Sequence, residues 1–192
     1  MVRLFVKNLA YMIEIKTGDI PCCVYVSNVL DHTYAKKIII NCINNNSKSE
    51  INTGITDINQ NIFNTDWHLP EPLFFKDLDY KDVVSSILYN HNEALTRYLG
   101  YIEPIEYGKV WFQQYKKEDY HAWHRHKLCI FSNIYYVDLP TGSSKTSFRL
   151  LGKEFQVEIK EGQILTFPSF IEHCSKLNLS NNIKTVISFN SS

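Results

Sequence analysis

The sequence lacks a net charge. Lysine plus arginine and aspartate plus glutamate number 20 each over 192 residues. A balanced chain sets up no field to draw in a phosphate backbone or an anionic membrane surface, so no nucleic-acid partner is expected. Long apolar runs are missing too: no window approaches the ~18 apolar residues of a bilayer-spanning helix, and no membrane partner is expected. The opening Met1-Val-Arg-Leu-Phe-Val-Lys-Asn-Leu-Ala10 interrupts its apolar residues with charges and reads as a first strand, not a signal peptide. No internal repeat is visible. Cysteines are few: Cys22, Cys23, Cys42, Cys129 and Cys174 are odd in number, lack paired metal-ligand spacing, and are expected to be reduced, buried thiols of a soluble cytoplasmic protein.

What is present suits one folded domain. Hydrophobic residues make up 44% and aromatics 14% of the chain, and its length falls within the ~100–200 residues that one core commonly serves. The early chain reads as strands from Leu4 to Ile15 and Cys22 to Val26, then a helix from about His32 to Ile43. The polar run Asn44 to Gly54 favours a loop, because its side chains compete with the backbone for hydrogen bonds. From Asp82 to Leu99, apolar residues recur at three- and four-residue steps, which predicts a helix that Gly100 stops. His91 falls on or beside its apolar face, where a hydrogen-bonded structural histidine is expected and not a ligand.

After Gly100 the texture changes to short β-rich runs: Lys109 to Tyr115, Ile130 to Leu139, Thr146 to Leu151, Phe155 to Ile159, Gln163 to Phe167 and Lys184 to Asn190. Strands that follow helix argue against a doubly wound α/β sheet. The histidines concentrate here. His121, His124 and His126 sit together in His-Ala-Trp-His-Arg-His, and His173 follows the proline-marked bend at Pro168. In an extended segment side chains two apart share a face, so His124 and His126 project together while Trp123 and Arg125 project away. A third imidazole from another strand, His173, would complete one face of an octahedron, and neutral imidazole suits iron, zinc, copper and nickel alike. The plainer alternative is a solvated histidine-bearing turn; short motifs have many false positives, and the apolar strand that follows favours a site.

Four segments together carry a resemblance. They are His124-Arg-His126, Ser132-Asn-Ile-Tyr-Tyr-Val137, Gly162-Gln-Ile-Leu-Thr-Phe-Pro-Ser-Phe-Ile-Glu-His173, and Lys184-Thr-Val-Ile-Ser-Phe-Asn190. In order and spacing the chain resembles the iron(II)- and 2-oxoglutarate-dependent oxygenases related to prolyl hydroxylases. The likeness runs from about Trp111 to Asn190 and is faint before, where Asn64-Thr-Asp-Trp67 echoes a turn of that family. It implies a mainly β fold with flanking helices, a double-stranded β-helix of the jelly-roll, cupin-like kind. Residues 1–192 would form one oxygenase domain, with 1–105 as support and 106–192 as the metal-binding β-helix core.

The resemblance implies iron(II) on His124, His126 and His173, with 2-oxoglutarate and dioxygen completing the coordination. Oxidative decarboxylation to succinate and carbon dioxide would accompany hydroxylation of a peptide or small molecule, a dioxygenase reaction. Lys184 stands where the family carries the arginine that anchors the far carboxylate, and alternation puts it on one strand face with Val186 and Ser188. Lys184, Ser188 and Tyr115 are the expected cosubstrate contacts. Tyr135 and Tyr136 point to opposite faces, so at most one lines the pocket.

Two positions depart from the pattern. His126 stands where the family's triad has a carboxylate, which removes a negative charge from the metal and leaves His121 as a competing ligand. Lys184 offers a point charge where arginine offers a bidentate fork, and Arg149 is a rival anchor. His-x-His followed by the glycine, proline and histidine of the third segment also fits the broader cupin pattern, so a cupin-like metal protein or an oxygenase that does not use 2-oxoglutarate is the alternative.

Overall fold

The computed structural model describes residues 10–17, 20–47, 55–57 and 59–192. Strands β1 (Ala10–Thr17) and β2 (Ile20–Asn28) pair as a hairpin and lead into helix α1 (His32–Ser47). Three short strands follow, β3 (Ile55–Asp57), β4 (Gln60–Ile62) and β5 (Asn64–Thr65), then the one-turn helix α2 (Leu73–Lys76) and the long helix α3 (Leu78–Leu99). The remainder is β6 (Tyr107–Tyr115), β7 (Tyr120–His124), β8 (Phe131–Asp138), β9 (Thr146–Leu150), β10 (Lys153–Gln156), β11 (Gln163–Pro168), β12 (Glu172–Ser175) and β13 (Lys184–Ser191).

These strands build two antiparallel sheets, ordered β1-β2-β11-β8-β13-β6-β5 and β10-β9-β12-β7-β4-β3. Alternation along the central strands of the larger sheet divides its residues between two cores. Val110, Phe112, Tyr135, Ile187 and Phe189 face outward and pack with Ile39, Ile43, Val84 and Leu88 of α1 and α3. Tyr115, Tyr136, Leu165, Phe167 and Val186 face inward and meet Phe148 and Ile62 of the smaller sheet. The result is a β-sandwich with helices on one outer face, the mainly β, jelly-roll class that the sequence predicts. Among the described residues no helix is long and apolar enough to cross a membrane.

Several boundaries differ from expectation for identifiable reasons. Helix α1 runs to Ser47, past the predicted end at Ile43, because Asn46 turns its amide back to the Cys42 carbonyl at 2.9 Å and onto Asp77 at 3.0 Å. The rest of the predicted polar loop, 48–54, lies outside the described residues, as does the start of the first predicted strand, 4–9. Helix α3 begins at Leu78, four residues before the predicted Asp82, since Asp77 caps it by accepting from the Tyr80 amide at 3.0 Å. Gly100 ends it at φ +70°, a left-handed conformation that glycine adopts without strain. The predicted strand Phe155 to Ile159 is β10 at Lys153–Gln156, after which Val157 and Ile159 leave the sheet to fill the inner core. Cys42 and Cys174 are buried thiols and Cys129 is half-buried, but Cys23 is exposed, because it lies on the edge hairpin opposite the exposed Glu14, outside the stretch of β2 from Val24 to Ser27 that the rest of the fold covers.

Candidate functional site

The histidines meet where β7 and β12 pair. His173 stands opposite His124 in the antiparallel register, and their ring centroids are 4.2 Å apart. His126 completes the group: donor atoms of His124, His126 and His173 all lie within 4.8 Å of one another. Strand β7 ends at His124, so His126 reaches the group from the following loop, where its amide donates to the Ser169 carbonyl at 3.2 Å. Its ring packs on Trp111, with centroids 5.9 Å apart.

Backbone carbonyls orient two of the rings. His124 Nδ1 lies 2.8 Å from the Ala122 carbonyl, and His173 Nδ1 lies 3.1 Å from the Ile171 carbonyl. A carbonyl only accepts, so both rings donate from Nδ1 and keep a lone pair on Nε2, the arrangement in which a carbonyl fixes a metal-ligating tautomer. Burial favours the neutral form throughout. It lowers the pKa of His124, pushes His126 down to about 4 with help from His124, and holds His173 well below the usual histidine range.

His121 stacks on His124 at a centroid distance of 3.9 Å but stands outside the converging donor group. A bulge explains why it lies on that side. Three steps on β7, from His121 to His124, oppose two on β12, from Ser175 to His173, so alternation slips by one. Trp123 projects away as the sequence predicts and carries the Arg149 guanidinium 4.2 Å from its ring centre. Arg125 does not project away. It lies past the end of β7, where alternation no longer applies, and lines the rim of the cavity that holds the histidines.

That cavity, of about 320 Å³, is walled by the inner face of the larger sheet. Lys184, Val186 and Ser188 of β13 all line it, as do Trp111, Gln113 and Tyr115 of β6, whose register pairs Lys184 with Tyr115 and Ser188 with Trp111. Lys184 is only 3% exposed. Its Nζ donates to the Ser175 hydroxyl at 2.7 Å and to the carbonyl and hydroxyl of Ser144 at 3.1 and 3.2 Å, above the Tyr115 ring. Among the described residues it has no carboxylate partner; Asp119 acts on it only through its field, and burial pushes its pKa down to about 7. Tyr115 is buried, and its hydroxyl makes no hydrogen bond among the described residues. Ser188 donates to Gln113 at 3.3 Å. Tyr136 lines the cavity, whereas Tyr135 turns outward to His32 at 2.7 Å. Arg149 is not in the cavity wall and pairs with Glu154 at 2.8 Å.

The sequence reading missed several residues of the same cavity. Trp67 reaches its rim from the turn after β5, and Lys109, Gln113, Ser132 and Asn190 line its wall. Asp66 secures the Trp67 turn: its carboxylate accepts from the amides of Phe112 and Leu73, each at 2.8 Å. The period-two alternation of β6 was the available signal for Lys109 and Gln113, since both share a face with Trp111 and Tyr115.

No protein-family model matches the chain, and no curated protein matches it. Solved structures do. A Pseudomonas putida prolyl-4-hydroxylase superposes with a TM-score of 0.52 at 16% identity, covering 88% of this chain and 91% of that one. The viral collagen prolyl hydroxylase of Paramecium Bursaria Chlorella virus-1, in its 2OG complex, gives 0.58 at 14% identity over 88% and 94%. A Trichoplax adhaerens prolyl hydroxylase, bound to a peptide fragment of hypoxia inducible factor, gives 0.59 at 12% identity over 88% and 82%. The chain therefore has the double-stranded β-helix fold of the prolyl hydroxylases and of 2OG-Fe(II) oxygenases more widely.

Proposed function

We propose that this chain is an iron(II)- and 2-oxoglutarate-dependent oxygenase of the hydroxylase type, acting on a peptide or small molecule. One observation carries the reading: three neutral imidazoles converge in the same cavity as a buried lysine that has no carboxylate partner among the described residues. The donor set fits a divalent first-row metal, because carbonyls orient two of the rings with Nε2 unprotonated. Iron(II) with 2-oxoglutarate would supply oxidation by dioxygen coupled to decarboxylation of the cosubstrate to succinate.

The protein's own groups have separate tasks. His124, His126 and His173 hold the metal and, as three ligands, keep the other positions open. Lys184 binds the far carboxylate of 2-oxoglutarate: a buried ammonium satisfied only by a carbonyl and hydroxyls gains most from an anion. Ser188 and Tyr115 border that position, the tyrosine with a hydroxyl free to donate. The apolar inner core of Phe148, Phe167 and Val186 keeps bulk water out, which strengthens each of these contacts.

Titration of the pure protein with iron(II) under argon, then with 2-oxoglutarate, tests the reading. Each addition should raise the melting temperature, since a ligand at 100 times its Kd adds about 2.7 kcal/mol to the folded state. Admission of oxygen should then yield succinate. Absence of both stabilisation and succinate would overturn the proposal. The three-histidine set favours one second reading, a cupin-like metal protein or oxygenase without 2-oxoglutarate. Metal retention with no spectral change on adding 2-oxoglutarate selects it.

A further inference from the structure

Among the described residues, the cavity has no aspartate or glutamate in its wall, although the chain as a whole carries 20 acidic residues. It has Lys184 at depth and Lys109 and Arg125 at the exposed rim. Among the described residues Lys109 forms no ion pair; its Nζ donates to the Trp67 carbonyl at 2.7 Å and lies 5.1 Å from the centre of the Trp67 ring. The carboxylate that feels its charge, Asp66, directs its oxygens to the amides of Phe112 and Leu73 instead. Arg125 has one long ion pair, 3.8 Å to Glu172.

The three imidazoles add to this imbalance. They bring no negative charge, so a divalent metal with Lys184 carries three positive charges, of which 2-oxoglutarate cancels two. The rim cations lie beyond that pair, so the loaded cavity remains cationic. A second observation points to a ligand at this end. Ser132 and Asn190 are paired across β8 and β13 and line the cavity, and the Ser132 hydroxyl and the Asn190 side-chain Oδ1 are buried atoms with no hydrogen-bond partner among the described residues. An orphaned buried polar atom costs about 1–3 kcal/mol unless something fills its valence. Trp67 and Trp111 supply flat apolar surface beside them.

We propose that the primary substrate is an anionic small molecule with a planar ring: its carboxylate or phosphate is held at the rim by Lys109 and Arg125, its ring lies against Trp67 and Trp111, and a polar group reaches Ser132 and Asn190. This rests on the oxygenase reading for the position of metal and cosubstrate. It differs from a neutral peptide substrate, which would give the two rim cations no role.

The test uses the protein loaded with manganese(II) and saturating 2-oxoglutarate, titrated with phenyl phosphate, phenylacetate and the neutral phenylacetamide. Quenching of tryptophan fluorescence reports occupancy directly, since Trp67 and Trp111 line the cavity. The anions should bind at least about tenfold more tightly than the amide, as loss of a charge-assisted hydrogen bond predicts. The double variant Lys109→Gln, Arg125→Gln, at two exposed positions, should bind all three probes equally. A preference for phenyl phosphate over phenylacetate, or the reverse, identifies the anion. Amide binding equal to that of the anions, anion binding by the double variant at wild-type strength, or no quenching by any probe would overturn the proposal. Failure of the oxygenase reading shows on another signal, the change in iron absorption on adding 2-oxoglutarate to the wild-type protein.

Discussion

His173 stands directly opposite His124 in the pairing of β12 with β7, and each ring is braced by the backbone carbonyl two residues before it. Two short strands, each held on its other side by a neighbour in the same sheet, thus fix two of the proposed ligands with little freedom left to lose. His126 differs: it lies in a loop, and among the described residues its ring has packing against Trp111 but no hydrogen bond.

That asymmetry predicts unequal effects of ligand removal. Altering partners outside the ligand shell alone weakens metal sites about 10–100-fold, so His124→Ala and His173→Ala should each lower iron(II) affinity by more than about 100-fold. His126→Ala should cost less, and His126→Asp should hold iron(II) at least as well as wild type by returning a negative charge to the metal. Chelator competition measures all four proteins. If His126→Ala left both iron affinity and succinate formation unchanged, His126 would not be a ligand.

With Lys184 as the proposed anchor, cosubstrate binding should depend on pH. Burial brings its pKa down to about 7 in the free protein, whereas a bound carboxylate raises it. Below pH 7 the ammonium is already formed. Above it, binding must take up a proton, so the Kd for 2-oxoglutarate should rise about tenfold per pH unit until the pKa of the bound state is reached. Calorimetry in two buffers of different ionisation enthalpy reads the proton uptake. Lys184→Met should remove both the pH dependence and most of the affinity, while Arg149→Ala should change neither. The opposite result would move the anchor to Arg149.

His91 gives the fold an acid limit. Its ring is buried between the Ser27 and Thr166 hydroxyls at 2.7 and 2.8 Å, and burial pushes its pKa down to about 4. The unfolded chain protonates near 6.5, so between about pH 6.5 and 4 the unfolded state binds the extra proton and stability falls with falling pH. That depression corresponds to about 3 kcal/mol. Urea unfolding midpoints from pH 7 to 4 should show this loss in the wild type. His91→Gln should show less of it; an equal acid dependence in both would assign the loss to other groups.

The parts of the site that were legible in the sequence are those whose geometry is local. Alternation alone groups Lys184, Val186 and Ser188 on one wall and separates Tyr135 from Tyr136, because a strand's period is two whatever it pairs with. The bulge that turns His121 toward His124, and the strand end that releases Arg125 to the rim, depend on where β12 stops matching β7. No local pattern encodes that register. Trp67 was hidden for a similar reason: the turn that presents it is fastened by Asp66 to amides seven and 46 residues away.

Asp66 is therefore a test of how the rim is built. Its carboxylate is buried, with its pKa pushed up to about 6 by desolvation, and both oxygens accept backbone amides. Asp66→Ala orphans the amides of Leu73 and Phe112 at about 1–3 kcal/mol each. Asp66→Asn keeps one acceptor and turns a donor toward the other amide, so it should fall between wild type and alanine. Urea unfolding ranks the three proteins. The same substitutions should loosen the Trp67 turn and raise the accessibility of its indole to acrylamide quenching, an effect that a stability loss elsewhere in the sandwich would not produce. A stability change below about 0.5 kcal/mol for Asp66→Ala would mean that water replaces the carboxylate and that the turn stands without it.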